Sequence, residues 1–315
     1  MTRTASALRS GWATDPGLQR ERNEDRVWAD DTAHIYLVVD GLGGHAGGEL
    51  AAQTACDVIV RALAPPLDRD PENAIRDAIA QANNEIFAIA QSDPANDGMA
   101  CVLTLALIHD DAVTVGHVGD SRLYLIWNGA VRKLTSDHSP VGEQEDGGEL
   151  TETEAMQHPR RNEVFRDVGS RERTPADAGF VDVRSFPFHP RAALLLCTDG
   201  LSDALTSAEI GAIVDTYDGD PATVAETLVK AANDRGGHDN VSVVFIPGPD
   251  FIGAHSEAMT EARTRHAITR LRGRRKGRWN RVLGRALWLI LGIILGMALL
   301  AGIEQIWAAR GWWLR

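Results

Sequence analysis

The sequence predicts an α+β domain built on antiparallel sheets, followed by one C-terminal transmembrane helix. Three observations carry this expectation. Short strand-like runs are joined by turns too tight for crossover connections, those runs are grouped apart from pairs of helical patterns, and eighteen consecutive uncharged residues lie near the C-terminus. Over 315 residues, 44% are apolar and 24% charged, which excludes a disordered or collagen-like chain.

The elements follow in order. HIYLVVD (34–40) has strand character, whereas GELAAQTACDVIVRAL (48–63) and Asn73 to Gln91 repeat apolar residues at helical spacing. From Cys101 to Leu134 come CVLTLALI, AVTVGHV, RLYLIW and AVRKL, separated by Asp-Asp, Gly-Asp-Ser and Asn-Gly signals. Asn128-Gly129 is the strongest hairpin signal, because both residues accept the positive φ that a two-residue turn demands. The polar stretch Asp137 to Asn162 predicts a solvated loop with one short helix opened by the capping-box pattern Thr151–Glu154. Strands at 181–188 and 192–199, helices near 208–215 and 222–234, and a final strand at 241–246 complete the domain. Cys56, Cys101 and Cys197 form no metal or disulfide pattern and read as buried thiols in a reducing compartment.

Charge divides the chain. Residues 251–315 carry 12 basic and 3 acidic side chains, whereas residues 1–250 carry 20 basic and 41 acidic ones, a net −21. The expected organisation is a catalytic domain at 1–247, a linker and basic segment at 248–285, a membrane span at 286–308 and a short tail at 309–315. Ala286 to Ile303 would extend about 27 Å as a helix, close to the thickness of a hydrocarbon core. Eight Lys/Arg between Arg270 and Arg285 mark the cytoplasmic side, so the sequence predicts a single pass through the inner membrane with the domain inside. Attraction to anionic lipid heads accounts for that basic run better than nucleic acid does. Trp288, Trp307, Trp312 and Trp313 suit interfacial anchoring, and Gly292 with Gly296 gives the weak GxxxG signal of a helix dimer.

Four aspartates carry the chemistry. Asp40 and Asp199 each end an apolar strand and precede a glycine; Asp120 lies between two strands, and Asp239 stands at the entrance of the last one. A carboxylate on rigid backbone, beside a glycine carbonyl, suits a hard divalent cation. Each residue alone is an ordinary loop aspartate.

Together, RERNED (20–25), VVDGLGGHAGGE (38–49), GDSR (119–122), TDGLSD (198–203) and GGHDNVSVV (236–244) resemble, in order and separation, the metal-dependent Ser/Thr protein phosphatases (PPM family, type 2C), the bacterial members most closely. The resemblance covers roughly residues 8–247 and implies a β-sandwich flanked by helix pairs, in α-β-β-α layers. It implies hydrolysis of phosphoserine and phosphothreonine by a metal-activated water, with two Mn²⁺ or Mg²⁺ ions and a third as in bacterial members. Asp40 would bridge the pair with the Gly41 carbonyl beside it, Asp199 and Asp239 would complete the centre, and Asp120 with Asp199 would hold the third ion. Glu24 and Asp25 would act through bound water, and Arg20 would grip the substrate phosphate. The resemblance implies phosphorylated proteins as partners, and the expected membrane location adds a Ser/Thr kinase and phosphothreonine-reading proteins at the inner membrane face.

Arginine suits that grip because its planar fork matches phosphate oxygens. The cluster also calls for cations on electrostatic grounds, since two carboxylates at 4 Å repel by about 4 kcal/mol at an effective dielectric near 20. Two departures stand out. Leu42 replaces the family's His or Met, leaving His45 as a weak substitute acid, and Ala100-Cys101-Val102 replaces the usual Gly-Thr-Thr. A catalytically weak, membrane-tethered phosphoprotein-binding scaffold is the alternative reading. An HD-type phosphohydrolase, suggested by His238-Asp239, ranks last because that pair precedes a strand.

Overall fold

The computed structural model describes residues 8–43, 46–67, 69–254 and 295–297. The chain divides into two compact units, Met1–Ser256 and Glu257–Arg315. Of the second unit only 295–297, which are helical, are described. The span expected at 286–308, its basic flank and the Gly292/Gly296 pair therefore lie outside the described residues. Among the described residues, no helix is long and apolar enough to cross a membrane.

The first unit contains two five-stranded sheets, antiparallel in every pairing. One runs β1(Gly11–Asp15), β10(Val241–Pro247), β9(Ala193–Cys197), β6(Arg122–Trp127), β7(Ala130–Lys133). The other runs β2(Arg26–Asp30), β3(Ile35–Leu42), β4(Ala100–His109), β5(Ala112–Val118), β8(Asp182–Pro187). Helices α1(Ala46–Leu63) and α2(Pro71–Ser92) pack on the second sheet, whereas α6(Ser207–Val214) and α7(Pro221–Asp234) pack on the first.

Alternation along the strands builds three apolar layers. Ile35, Leu37 and Val39 face α1 and α2, while Tyr36 and Val38 face the opposite sheet. Likewise Leu195 and Phe245 meet α6 and α7, whereas Leu194 and Val244 fill the space between the sheets. Burial on both faces explains why these strands read as continuous apolar runs. Full burial of one such side chain contributes about 1.5–3 kcal/mol.

Local chemistry sets the boundaries. Asp70 accepts from the Asn73 N–H to cap α2, with Pro71 at its first turn. Asn128 and Gly129 adopt φ of 52° and 74°, the turn expected between β6 and β7. All three cysteines are buried and free.

The polar stretch after β7 differs from expectation. Residues Asp137, His138, Ser139 and Val141 are buried, and two helices form, α3(Pro140–Asp146) and α4(Glu152–Met156), instead of one. The Thr151/Glu154 capping box opens α4 as its spacing predicts. Asp137 and His138 go inside because each meets a specific partner, Arg122 and the Gly119 peptide respectively. Strands β1 and β2 were absent from the sequence reading, being short edge strands with mixed burial.

Candidate active site

Antiparallel pairing gathers the acidic residues. The C-terminal ends of β3 and β9 lie beside the N-terminal ends of β2 and β10, and the link from β5 to β6 joins them through Arg122, paired with Cys197. Asp40, Asp199, Asp25, Asp239 and Asp120 all sit at or beside these ends. Asp40 lies within β3 opposite Val102, and Asp199 opens the helical turn α5(Asp199–Ser202) instead of ending a strand.

The glycines after the two aspartates serve close backbone approach, not hairpin turns. A Cβ on Gly41 would stand 2.2 Å from the Gly48 carbonyl oxygen and 2.8 Å from that of Glu24. One on Gly200 would stand 2.0 Å from the Asn240 carbonyl oxygen. These contacts lock the Asp40 loop to the start of α1 and the Asp199 turn to the start of β10.

The carboxylates are mutual electrostatic neighbours. Burial, reinforced by Asp25, Asp120 and Asp239, pushes Asp40 well above the ordinary carboxylate range. Burial also raises Asp199, with repulsion from Asp40, Asp120, Asp203 and Asp239. Asp120 is driven to about 7 by burial and by Asp137 and Asp203. Asp25, only 2% exposed, is driven to about 7 by burial, against hydrogen bonds from Ser242 and Thr198. One oxygen of Asp199 and one of Asp25 (Oδ1 in each) are buried with no hydrogen-bond partner.

Among the described residues, no three His, Cys, Asp or Glu side chains close into a ready-made metal cage. The aspartates influence one another through charge. The donor set nevertheless fits hard divalent cations: carboxylates only, two of them with an orphaned oxygen, in a pocket whose own charges repel.

Arg20 donates from Nη2 to Asp239 Oδ2 at 2.7 Å, with its side chain 53% exposed. The predicted phosphate grip is thus placed beside a predicted metal ligand. Asp239 also accepts from the Asn240 N–H at 2.8 Å. The Glu24 carboxylate lies against Gly48, and its backbone N–H donates to Asn240 Oδ1 at 2.8 Å. Asn240 further donates to the Pro16 and Arg22 carbonyls, so it secures the loop that carries Arg20, Glu24 and Asp25.

Two residues escaped the sequence reading. Asp203 lies one helical turn beyond Asp199, is raised mainly by burial, and accepts from Arg161 Nε at 2.7 Å. Its spacing of four residues within TDGLSD was the available signal. Asp137 lies behind Asp120, and no local pattern reveals that it is buried.

The departures from the family pattern have a location. Ala100, Cys101 and Val102 pair with Leu42, Gly41 and Asp40, so a hydroxyl at 102 would stand on the same sheet face as Asp40. His45 lies outside the described residues.

A cleft of about 690 Å³ opens beside these groups, lined by Arg20, Met156, Asn162, Asp203, Arg235 and Asp239 among others. Helix α4 and the residues after it wall the cleft and are fastened at two points. Glu152 Oε1 accepts from the Ser207 N–H and hydroxyl, and Arg161 pairs with Asp203.

Comparison with known proteins places this geometry. The family model of protein phosphatase 2C matches residues 19–232. The serine/threonine phosphatase stp of Listeria monocytogenes is 33% identical over 246 residues, covering 76% of this chain and 95% of that protein. The crystal structure of the Mycobacterium tuberculosis serine/threonine phosphatase PstP/Ppp superposes with a TM-score of 0.69 at 31% identity, covering 76% of this chain and 98% of the other. The catalytic domain of PstP in complex with two manganese ions gives a TM-score of 0.68 at 30% identity, covering 76% and 97%.

Proposed function

Because this chain belongs to the protein phosphatase 2C family and is a protein serine/threonine phosphatase, we propose that Asp40, Asp120, Asp199 and Asp239, with the Gly41 carbonyl, form its cation-binding centre. Mn²⁺ or Mg²⁺ held there supplies positive charge that activates water and neutralises phosphoryl oxygens. The observation that carries the reading is the collection of five like-charged carboxylates at one end of the sandwich, two with orphaned oxygens.

The remaining steps belong to the side chains. Arg20, exposed and tied among the described residues to Asp239, turns its second guanidinium edge to the phosphate and fixes its orientation. Asp25 Oδ1 accepts a hydrogen bond from water inside the pocket, while Thr198 holds its other oxygen at 2.9 Å. The cleft beneath α4 receives the protein segment around the phosphorylated residue. The test is hydrolysis of p-nitrophenyl phosphate and of a phosphothreonine peptide by the full chain with Mn²⁺. Activity should vanish in excess EDTA and in Asp40→Asn; turnover that persists in both would overturn the metal assignment.

Tethering is part of the same proposal. The eighteen uncharged residues from Ala286, preceded by eight Lys/Arg, support a single inner-membrane pass with the domain in the cytoplasm, opposing a Ser/Thr kinase at that surface. The chain should remain in membranes after alkaline carbonate extraction. Release into the supernatant would remove the tether. Accumulation of phosphothreonine on membrane-proximal proteins when only an inactive variant is expressed would support the kinase pairing.

A further inference from the structure

A second cleft, of about 630 Å³, lies away from the aspartates, where β7 and β8 are the outer strands of their sheets. Val115, Leu125, Leu134 and Phe186 give it apolar walls. Arg132 and Arg184 stand exposed in its lining, and neither guanidinium has an ion-pair or hydrogen-bond partner among the described residues. The lining acids are already engaged: Asp146 pairs with Lys133 at 2.9 Å, and Asp182 with Arg166 at 2.9 Å. In a domain of net −21, two uncommitted arginines over an apolar floor are a local reversal of charge.

The inner wall of this cleft is wired to both neighbours of Asp120. His117, which lines it, faces the Ser136 carbonyl with Nε2 at 3.1 Å and Thr104 Oγ1 with Nδ1 at 2.9 Å. Thr104 Oγ1 also lies 2.8 Å from the Ser121 carbonyl. A neutral imidazole has one N–H, so two arrangements compete. With the hydrogen on Nε2, His117 donates to Ser136 and the Thr104 hydroxyl donates to Nδ1. With the hydrogen on Nδ1, His117 donates to Thr104, whose hydroxyl then donates to Ser121. His138, packed on His117 with ring centroids 4.7 Å apart, grips the Gly119 peptide from both sides. The Gly119 N–H donates to its Nδ1 at 3.0 Å, and its own N–H donates to the Gly119 carbonyl at 2.7 Å. Its Nε2 lies 3.2 Å from Asp182, another residue of the cleft.

We propose that the cleft between β7 and β8 binds a small anion with an apolar body, and that its occupancy reaches Asp120 through the His117–Thr104–Ser121 relay and the His138–Gly119 clamp. The anion pairs with Arg132 and Arg184 while its body covers Phe186 and Leu125. An oxygen of the anion beside Ser136 selects between the two His117 arrangements, which is the bistable element that such coupling needs. The binding half stands on its own; the coupling half rests on the metal role proposed for Asp120.

The probe is naphthalene-1-sulfonate, with naphthalene-1-methanol as its uncharged match, titrated calorimetrically into the full chain. Saturable sulfonate binding at one site, weakened at least tenfold in Arg132→Glu/Arg184→Glu, is expected. Turnover of p-nitrophenyl phosphate without sulfonate should stay unchanged in that variant, which controls for folding. Equal binding of the alcohol, equal binding by the double variant, or displacement of the sulfonate by inorganic phosphate with the arginines intact would overturn the site. For the coupling, saturating sulfonate should shift the Mn²⁺ dissociation constant measured by titration at least twofold. Thr104→Val should keep sulfonate binding and lose that shift. An unchanged Mn²⁺ constant in the unmodified chain would overturn the relay while leaving the site, and absence of Mn²⁺ binding altogether would instead overturn the metal reading.

Discussion

Two clusters of buried charge lie side by side at the start of β6 and have opposite character. Asp120, just before the strand, is coupled by charge to Asp40 and Asp199; Arg20 offsets part of the charge on Asp40, and Arg122 part of that on Asp120. Arg122, two residues on, donates to Asp137 Oδ2 from Nε at 2.9 Å and from Nη2 at 2.6 Å, and to Glu145 at 2.8 Å. Lys133 closes that second network against Glu145 and Asp146. The compensated cluster fastens α3 to the sheet. The less compensated one keeps orphaned oxygens and raised acids, a burden that selection tolerates where a ligand with positive charge is to be held.

The sharpest break in this contrast is Arg122→Ala. Removing one partner of a buried pair leaves Asp137 and Glu145 without their cation, so denaturant titration should show a loss of about 3–5 kcal/mol. A stable variant would mean that the pairing is incidental. On the other side, Asp199→Asn should lower Mn²⁺-dependent turnover about a hundredfold or more, equivalent to about 2.7 kcal/mol. Without divalent ions the same variant should melt higher than the parent in calorimetry, because one like charge is gone.

Cation binding itself should stabilise the parent. At a hundred times its dissociation constant, Mn²⁺ would contribute about 2.7 kcal/mol, read as a raised melting temperature that EDTA reverses.

The pH dependence separates the regions further. Asp25 and Asp120 rise from 3.8 to about 7 in the fold, so the folded state holds protons that the unfolded chain has released. Their contribution is fully present below about pH 4 and is lost as pH rises through 7. His117 behaves oppositely. Burial, with His138 beside it, lowers it from 6.5 to about 4, so its contribution grows between those values as pH rises. Melting of the cation-free protein should therefore fall from pH 6 to 8, and Asp25→Asn should flatten that slope. The smallest expected effect is at the wall of the substrate cleft, where Thr151→Ala removes a capping box and should cost about 1 kcal/mol.

How far the sequence reached follows from the range of each interaction. Continuous apolar runs marked β3, β9 and β10, and Asn128-Gly129 marked a turn, because apolar composition and local φ preference act within a few residues. Strands β1 and β2 escaped because their faces are half-exposed and carry little pattern. Asp137 was read as solvated because polarity is local, whereas its burial depends on Arg122, fifteen residues away.

By itself, then, the chain determined its apolar runs, its caps and turns, and the acidic motifs through which it resembles the phosphatases. Only the tertiary structure decided which buried charges are answered and which are left to repel. That decision depends on which side chains from distant strands meet in a medium of low dielectric, and neither periodicity nor composition encodes those distances.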